Sequence, residues 1–196
     1  MRRPGSAAPV DWLIVGLGNP GRGYSGTRHI VGFGAAEELA RRWDLPRPRP
    51  RFQGLVSDGR AGIGGPRVAV LFPQTYMNDA GRSAGPASGA YRTVLEQVLV
   101  LHDEIDLPFG DVRTRLGGGL AGHNGLRSLA SEFGGPGFHR VRIGVGRPDS
   151  TDPEIVSAWV LGRFTEPAQQ VRALIARAAD VAERVAVGSA GDPLVG

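Results

Sequence analysis

The chain has 196 residues, enough for one domain around one core, and its 41% apolar and 21% charged content is that of an ordinary globular protein. It has no cysteine, and all 23 basic residues are arginine; this removes disulfides, thiolate nucleophiles, cysteine metal sites, Schiff-base chemistry and the lysine of a P-loop. The net charge of +4 is modest, but residues 111–147 hold Arg113, Arg115, Arg127, Arg140, Arg142 and Arg147 against only Asp111 and Glu132, an asymmetry that suits a polyanionic partner.

Residues 1–11 carry two arginines but no apolar stretch long enough for a secretory core, so they are expected to form an N-terminal tail. No apolar run approaches the roughly 20 residues that cross a membrane. Residues 12–17 are a short apolar run ending in Gly-Asn-Pro-Gly, the pattern of a buried strand entering a loop and delivering Asn19 to a sheet edge. Phe33, Ala36, Leu39, Ala40 and Trp43 then recur at helical spacing, with His29 just before them. The Pro-Arg alternation of residues 46–51 reads as an extended connector. Further strands are expected at 68–72, 97–102 and 138–146, and helices within 79–91, 123–134, 153–160 and 167–187. Residues 188–196 read as a second tail. Interleaved strands and helices predict an α/β three-layer sandwich with a mostly parallel sheet, its active site at the strand C-terminal ends.

Two motifs mislead. Gly16, Gly18 and Gly21 match the dinucleotide fingerprint G-x-G-x-x-G, but that motif needs a helix opening at once on the pyrophosphate, and Pro20, Gly21, Gly23 and Gly26 keep the chain irregular to about residue 30. Gly81, Ser83 and Gly85 match the nucleophile elbow G-x-S-x-G, which needs a strand directly before the serine; the preceding strand ends near Phe72. Ser83 therefore reads as a serine in a small-residue helix.

What remains is a set of polar groups after the strand ends: Asn19, His29, Asn78, His102, Asp103, His123 and Asn124. A histidine titrating near neutrality can take a proton from water, and a buried carboxylate can fix its tautomer; His29 and Asp103 would supply that pair. Asparagine amides can donate to a developing oxyanion without titrating. Taken singly, each of these residues is equally at home in a turn or a structural hydrogen bond.

Five segments narrow the reading: VGLGNPGRGYSGTRH at 15–29, PQTYMN at 73–78, HDEIDLPFG at 102–110, GGGLAGHNGL at 117–126 and FHRVRIGVGRP at 138–148. In order and spacing they resemble the bacterial peptidyl-tRNA hydrolases, over most of residues 12–148. The resemblance implies a hydrolase domain at 12–187 that cuts the ester between a peptide and tRNA, recycling the tRNA. It implies that His29 accepts the proton, Asp103 keeps it basic, and Asn19 separates blocked peptidyl-tRNA from free aminoacyl-tRNA. Tyr24, Tyr76, Asn78 and Asn124 match substrate-contacting positions, and Arg113, Arg115 and Arg142 fall where the family binds the tRNA acceptor end. A cytoplasmic monomer without cofactor or metal is expected. The chain departs from the family where Ile30-Val31-Gly32 replaces Asn-Ala-Gly after the histidine, and where Asp79-Ala80-Gly81 replaces Leu-Ser-Gly after Asn78. The alternative is a relative of the same fold that binds RNA without turning it over.

Overall fold

The structure, a computed structural model, describes residues 7–188. Its seven strands are β1 (Trp12–Gly16), β2 (Arg49–Arg51), β3 (Gly54–Arg60), β4 (Arg67–Pro73), β5 (Val98–Glu104), β6 (Val112–Leu116) and β7 (His139–Gly144), in the sheet order β2-β3-β4-β1-β5-β7-β6. The helices are α1 (Val31–Arg42), α2 (Gly81–Tyr91), α3 (Asn124–Phe133), α4 (Pro153–Leu161) and α5 (Ala168–Gly188). The central strands β4, β1, β5 and β7 run parallel, whereas β2, β3 and β6 join antiparallel at the edges, so the sheet is mixed around the expected parallel centre.

β1 and β5 are buried along their whole length, as parallel strands covered on both faces must be. Alternation divides β1 between two cores: Trp12 and Ile14 pack with α1 and α5, while Leu13 and Val15 pack with α2 and α3. Gly16 and Gly32 let α1 sit close on the sheet; a Cβ at Gly32 would lie 2.3 Å from the Leu101 carbonyl oxygen. Two glycines of the dinucleotide-like motif, Gly16 and Gly18, thus serve helix packing, while Gly21 takes a positive φ of 105° with no neighbour close by. Gly18 lies against the Phe33 ring, and α1 begins only at Val31.

Several expectations need correction. Residues 7–11 are not a loose tail: Ala7 and Val10 are buried in the core beside α2, and the Val10 amide donates to the Tyr91 carbonyl. The connector expected at 46–51 contains β2, where Pro50 is tolerated because an edge strand can turn its missing N–H away from the ladder. β3 and β6 have no counterpart among the expected strands, since β3 holds Gly, Ser and Asp, and β6 is mostly exposed and reads as a basic surface. β5 runs on through Asp103 to Glu104, so His102 and Asp103 lie on the strand itself. Residues 1–6 and 189–196, with most of both expected tails, lie outside the described residues.

Candidate active site

The C-terminal ends of the parallel strands converge on a groove of about 730 Å³. β1 delivers Asn19, whose side-chain oxygen accepts the Met77 amide at 2.7 Å. That bond draws the loop after β4 toward β1 and fixes the amide, leaving the Asn19 NH₂ as a donor. His29 sits on a 3₁₀ turn, Arg28–Ile30, leading into α1. α3 begins at Asn124 and is capped by His123, whose Nδ1 accepts the amides of Gly125 at 3.1 Å and Leu126 at 3.3 Å.

Asp103 joins the two histidines. Its Oδ2 accepts His29 Nδ1 at 2.9 Å, and its Oδ1 accepts His123 Nε2 at 2.8 Å. Because two backbone amides point at Nδ1 of His123, that ring must carry its proton on Nε2, toward Asp103. His29 likewise donates through Nδ1, which leaves Nε2 as the nitrogen with a free lone pair. Burial disfavours ionised Asp103, but the positive charge available on His29 and the hydrogen bonds of His29 and His123 outweigh it and hold the carboxyl well below the usual carboxylate range. Burial also works against protonated His29, yet the Asp103 charge and hydrogen bond prevail and raise its pKa above 6.5. A third ring, His102, is fully buried and pushed down to about 3 by desolvation and by His123, so it is neutral; its Nδ1 donates to the Asp103 carbonyl at 2.9 Å. The site therefore holds one ionised carboxylate and one histidine poised to take a proton.

The groove gathers Asn19, His29, Tyr76, Asn78, Asp103 and Asn124 from the sequence-predicted set. Tyr24, half-buried on the turn Arg22–Tyr24, does not line it, and neither do Arg113, Arg115 or Arg142. Those arginines share the β6–β7 edge, where Arg113 pairs in register with Arg142 and Arg115 with Arg140. Arg142 is tied to the buried Glu104 through Nε at 3.1 Å, and Arg113 to Asp111 at 3.3 Å. Arg140 is buried, and its Nη2 donates to the carbonyls of Gly117 and Gly119, pinning the glycine loop that leads to His123. The arginines that do line the groove are Arg127 and Arg147. His123 stands among the sequence-predicted polar groups without a role of its own; the available signal is a histidine at the position just before a helix start, where a side-chain acceptor is favoured. Ser83 is buried inside α2, as expected of a packed serine. Ile30 is half-buried and Val31 is buried in the core, so the departure after His29 puts an apolar pair where the turn carrying His29 enters α1.

A three-layer α/β fold with a carboxylate-held histidine and asparagine amides around a groove at the strand ends defines a hydrolase of the water-activating kind. The sequence model of the family described as peptidyl-tRNA hydrolase matches residues 13–191. Peptidyl-tRNA hydrolase of Parvibaculum lavamentivorans is 48% identical over 178 residues, covering 90% of this chain and 84% of that one. The enzyme of the same name from Geobacillus kaustophilus is 44% identical over 173 residues, covering 88% and 91%. The crystal structure of peptidyl-tRNA hydrolase from Acinetobacter baumannii superposes with a TM-score of 0.79 at 41% identity, over 91% of this chain and 89% of that one. The chain belongs to the peptidyl-tRNA hydrolase family.

Proposed function

We infer that this member of the family cuts the ester between a peptide and the 3′-terminal ribose of tRNA with His29 as general base. The observation that carries the reading is the Asp103 carboxylate shared by two histidines, one of which keeps a lone pair at the groove. His29 Nε2 takes a proton from water, and the resulting hydroxide attacks the ester carbonyl. The tetrahedral oxyanion is met by amide donors, for which Asn19, Asn78 and Asn124 are the candidates. Collapse expels the ribose oxygen, which recovers the proton from His29, and the peptide acid gives up the water's second proton to solvent and leaves as a carboxylate. An ester has a better leaving group than an amide, so activated water suffices without a covalent intermediate.

The peptide is assigned to the side of the groove walled by α4, where Val156, Val160 and Leu161 are apolar. The tRNA is assigned to the β6–β7 edge, with Arg113, Arg115 and Arg142 on its phosphates; Tyr24 and Tyr76 are candidate contacts toward the acceptor end. We propose further that the enzyme works as a cytoplasmic monomer whose single domain takes in the buried Ala7 and Val10 ahead of residues 12–187; among the described residues no helix is long and apolar enough to cross a membrane. No observation favours RNA binding without turnover.

The test is release of N-blocked aminoacyl groups from tRNA by the purified protein, beside unblocked aminoacyl-tRNA and with chelator present. Selective cleavage of the blocked substrate is expected, and His29→Ala should abolish it while tRNA binding persists. Binding without cleavage by the wild-type protein would overturn the reading.

A further inference from the structure

The residue before the general base is an unusual arginine. Arg28 is buried, at 3% exposure, yet its Nε and Nη2 find no hydrogen-bond partner among the described residues. A buried guanidinium with idle donors is costly, and a fold keeps one where something else depends on it. What Arg28 contacts is α4 and the residues that follow it, including the Phe164 ring, whose centre lies 5.8 Å from its guanidinium carbon. Its guanidinium carbon lies 3.7 Å from the centre of the Trp159 ring, and Nη1 donates to the Trp159 carbonyl at 3.1 Å. Its own amide donates to the Gly162 carbonyl at 3.0 Å, and the adjoining Thr27 bridges Arg163.

α4 needs such a tie. It is an apolar helix, Pro-Glu-Ile-Val-Ser-Ala-Trp-Val-Leu, with no buried residue of its own, and the element it packs against most is the turn Arg28–Ile30. Apart from that turn, Trp159 Nε1 anchors it to the Gly146 carbonyl at 2.9 Å. The same short helix turns Val156, Val160 and Leu161 to the groove. Where that wall stands is therefore decided by the side chain that neighbours His29.

We propose that Arg28 is a positioning residue that locks α4 as the apolar wall for the peptide, so that the turn carrying the base also sets the affinity for the peptide end of the substrate. The planar guanidinium stacks on Trp159 and reaches its carbonyl at the same time; a lysine ammonium cannot do both. The proposal rests on the assignment of the peptide to the α4 side.

The experiment compares two substrates: N-acetyl-aminoacyl-tRNA, and the same tRNA carrying an N-blocked tetrapeptide of apolar residues. The wild-type enzyme is expected to show a lower KM for the tetrapeptide. Arg28→Lys should raise that KM five-fold or more with kcat within two-fold, leave the acetylated substrate within two-fold, and leave the Kd for unacylated tRNA unchanged. Trp159→Leu should reproduce the pattern, and the double variant should be no worse than either single one; if Arg28→Lys does not fold, Trp159→Leu carries the test alone. A fall in kcat common to both substrates, with KM unchanged, would show that Arg28 acts on His29 and overturn the proposal. No difference in KM between the substrates in the wild-type enzyme would instead remove the peptide assignment beneath it.

Discussion

Replacing Asp103 with Asn keeps the size of the side chain and removes its charge, and the hydrogen-bond pattern around it dictates the consequence. Asp103 accepts two N–H donors, one on each oxygen, from His29 Nδ1 and His123 Nε2. An amide can accept only one; its NH₂ must face a ring nitrogen that carries no proton. His123 cannot comply, because the amides of Gly125 and Leu126 require Nδ1 as an acceptor and so keep the proton on Nε2. The Asn oxygen therefore turns to His123 and its NH₂ to His29, which must move its proton to Nε2. The lone pair that should meet water is then gone. A wrong-tautomer histidine costs a hydrolase about 10⁴ in kcat, or about 5 kcal/mol of transition-state stabilisation at 1.36 kcal/mol per decade. Single-turnover cleavage of N-acetyl-aminoacyl-tRNA reads this directly, with the thermal melt and tRNA Kd as controls. Asp103→Asn keeping activity within ten-fold of wild type would refute both the tautomer argument and His29 as the base.

Because Asp103 raises the pKa of His29 and only the neutral ring is a base, kcat/KM should climb with pH through a midpoint above 6.5 and be lost on acidification; a pH profile with its acid limb below 6.5 contradicts this. Gly32→Ala would place a Cβ 2.3 Å from the Leu101 oxygen. Separating α1 from β5 should cost about 3 kcal/mol, lowering Tm by roughly 6–12 °C; calorimetry showing no change would mean that α1 is not so tightly seated. Arg115→Ala should reduce the slope of log Kd for tRNA against log salt by about 0.7–0.9, one phosphate contact, and an unchanged slope would take tRNA away from the β6 edge.

The parts of the fold legible in the sequence are those where burial alone sets the pattern. The all-apolar run of β1 and the 3.6-residue stripe of α1 stand out because nothing but packing selects their residues. β6 does not stand out, because four of its five residues are exposed and two are arginines that face solvent; its strand character comes from the ladder to β7, which no local pattern reports. β2 is hidden by its proline for a related reason. In the site, the positions of Asn19 and Asn78 could be read, since each follows the end of an apolar strand, where the chain turns into the loops that border the groove. The sharing of Asp103 could not, because His29 and His123 approach it from turns 74 and 20 residues away.

That sharing also explains why an aspartate so deeply buried stays ionised. One histidine partner would leave a carboxylate oxygen without a donor in a low-dielectric pocket, and the stable answer would be to protonate it. His123 supplies the second donor, and it can do so because the first turn of α3 supplies two N–H groups that need an acceptor. A helix start, an imidazole and a carboxylate thus form a relay of hydrogen bonds whose direction is fixed from the backbone end. His29 receives its tautomer from that relay. The residue at position 123 is therefore expected to bear on catalysis through its proton placement. A His123→Gln variant, able to accept from the helix amides or donate to Asp103 but poorly both, should weaken the basicity of His29, seen as an acid limb of the kcat/KM profile shifted to lower pH; an unshifted limb would break the relay at His123.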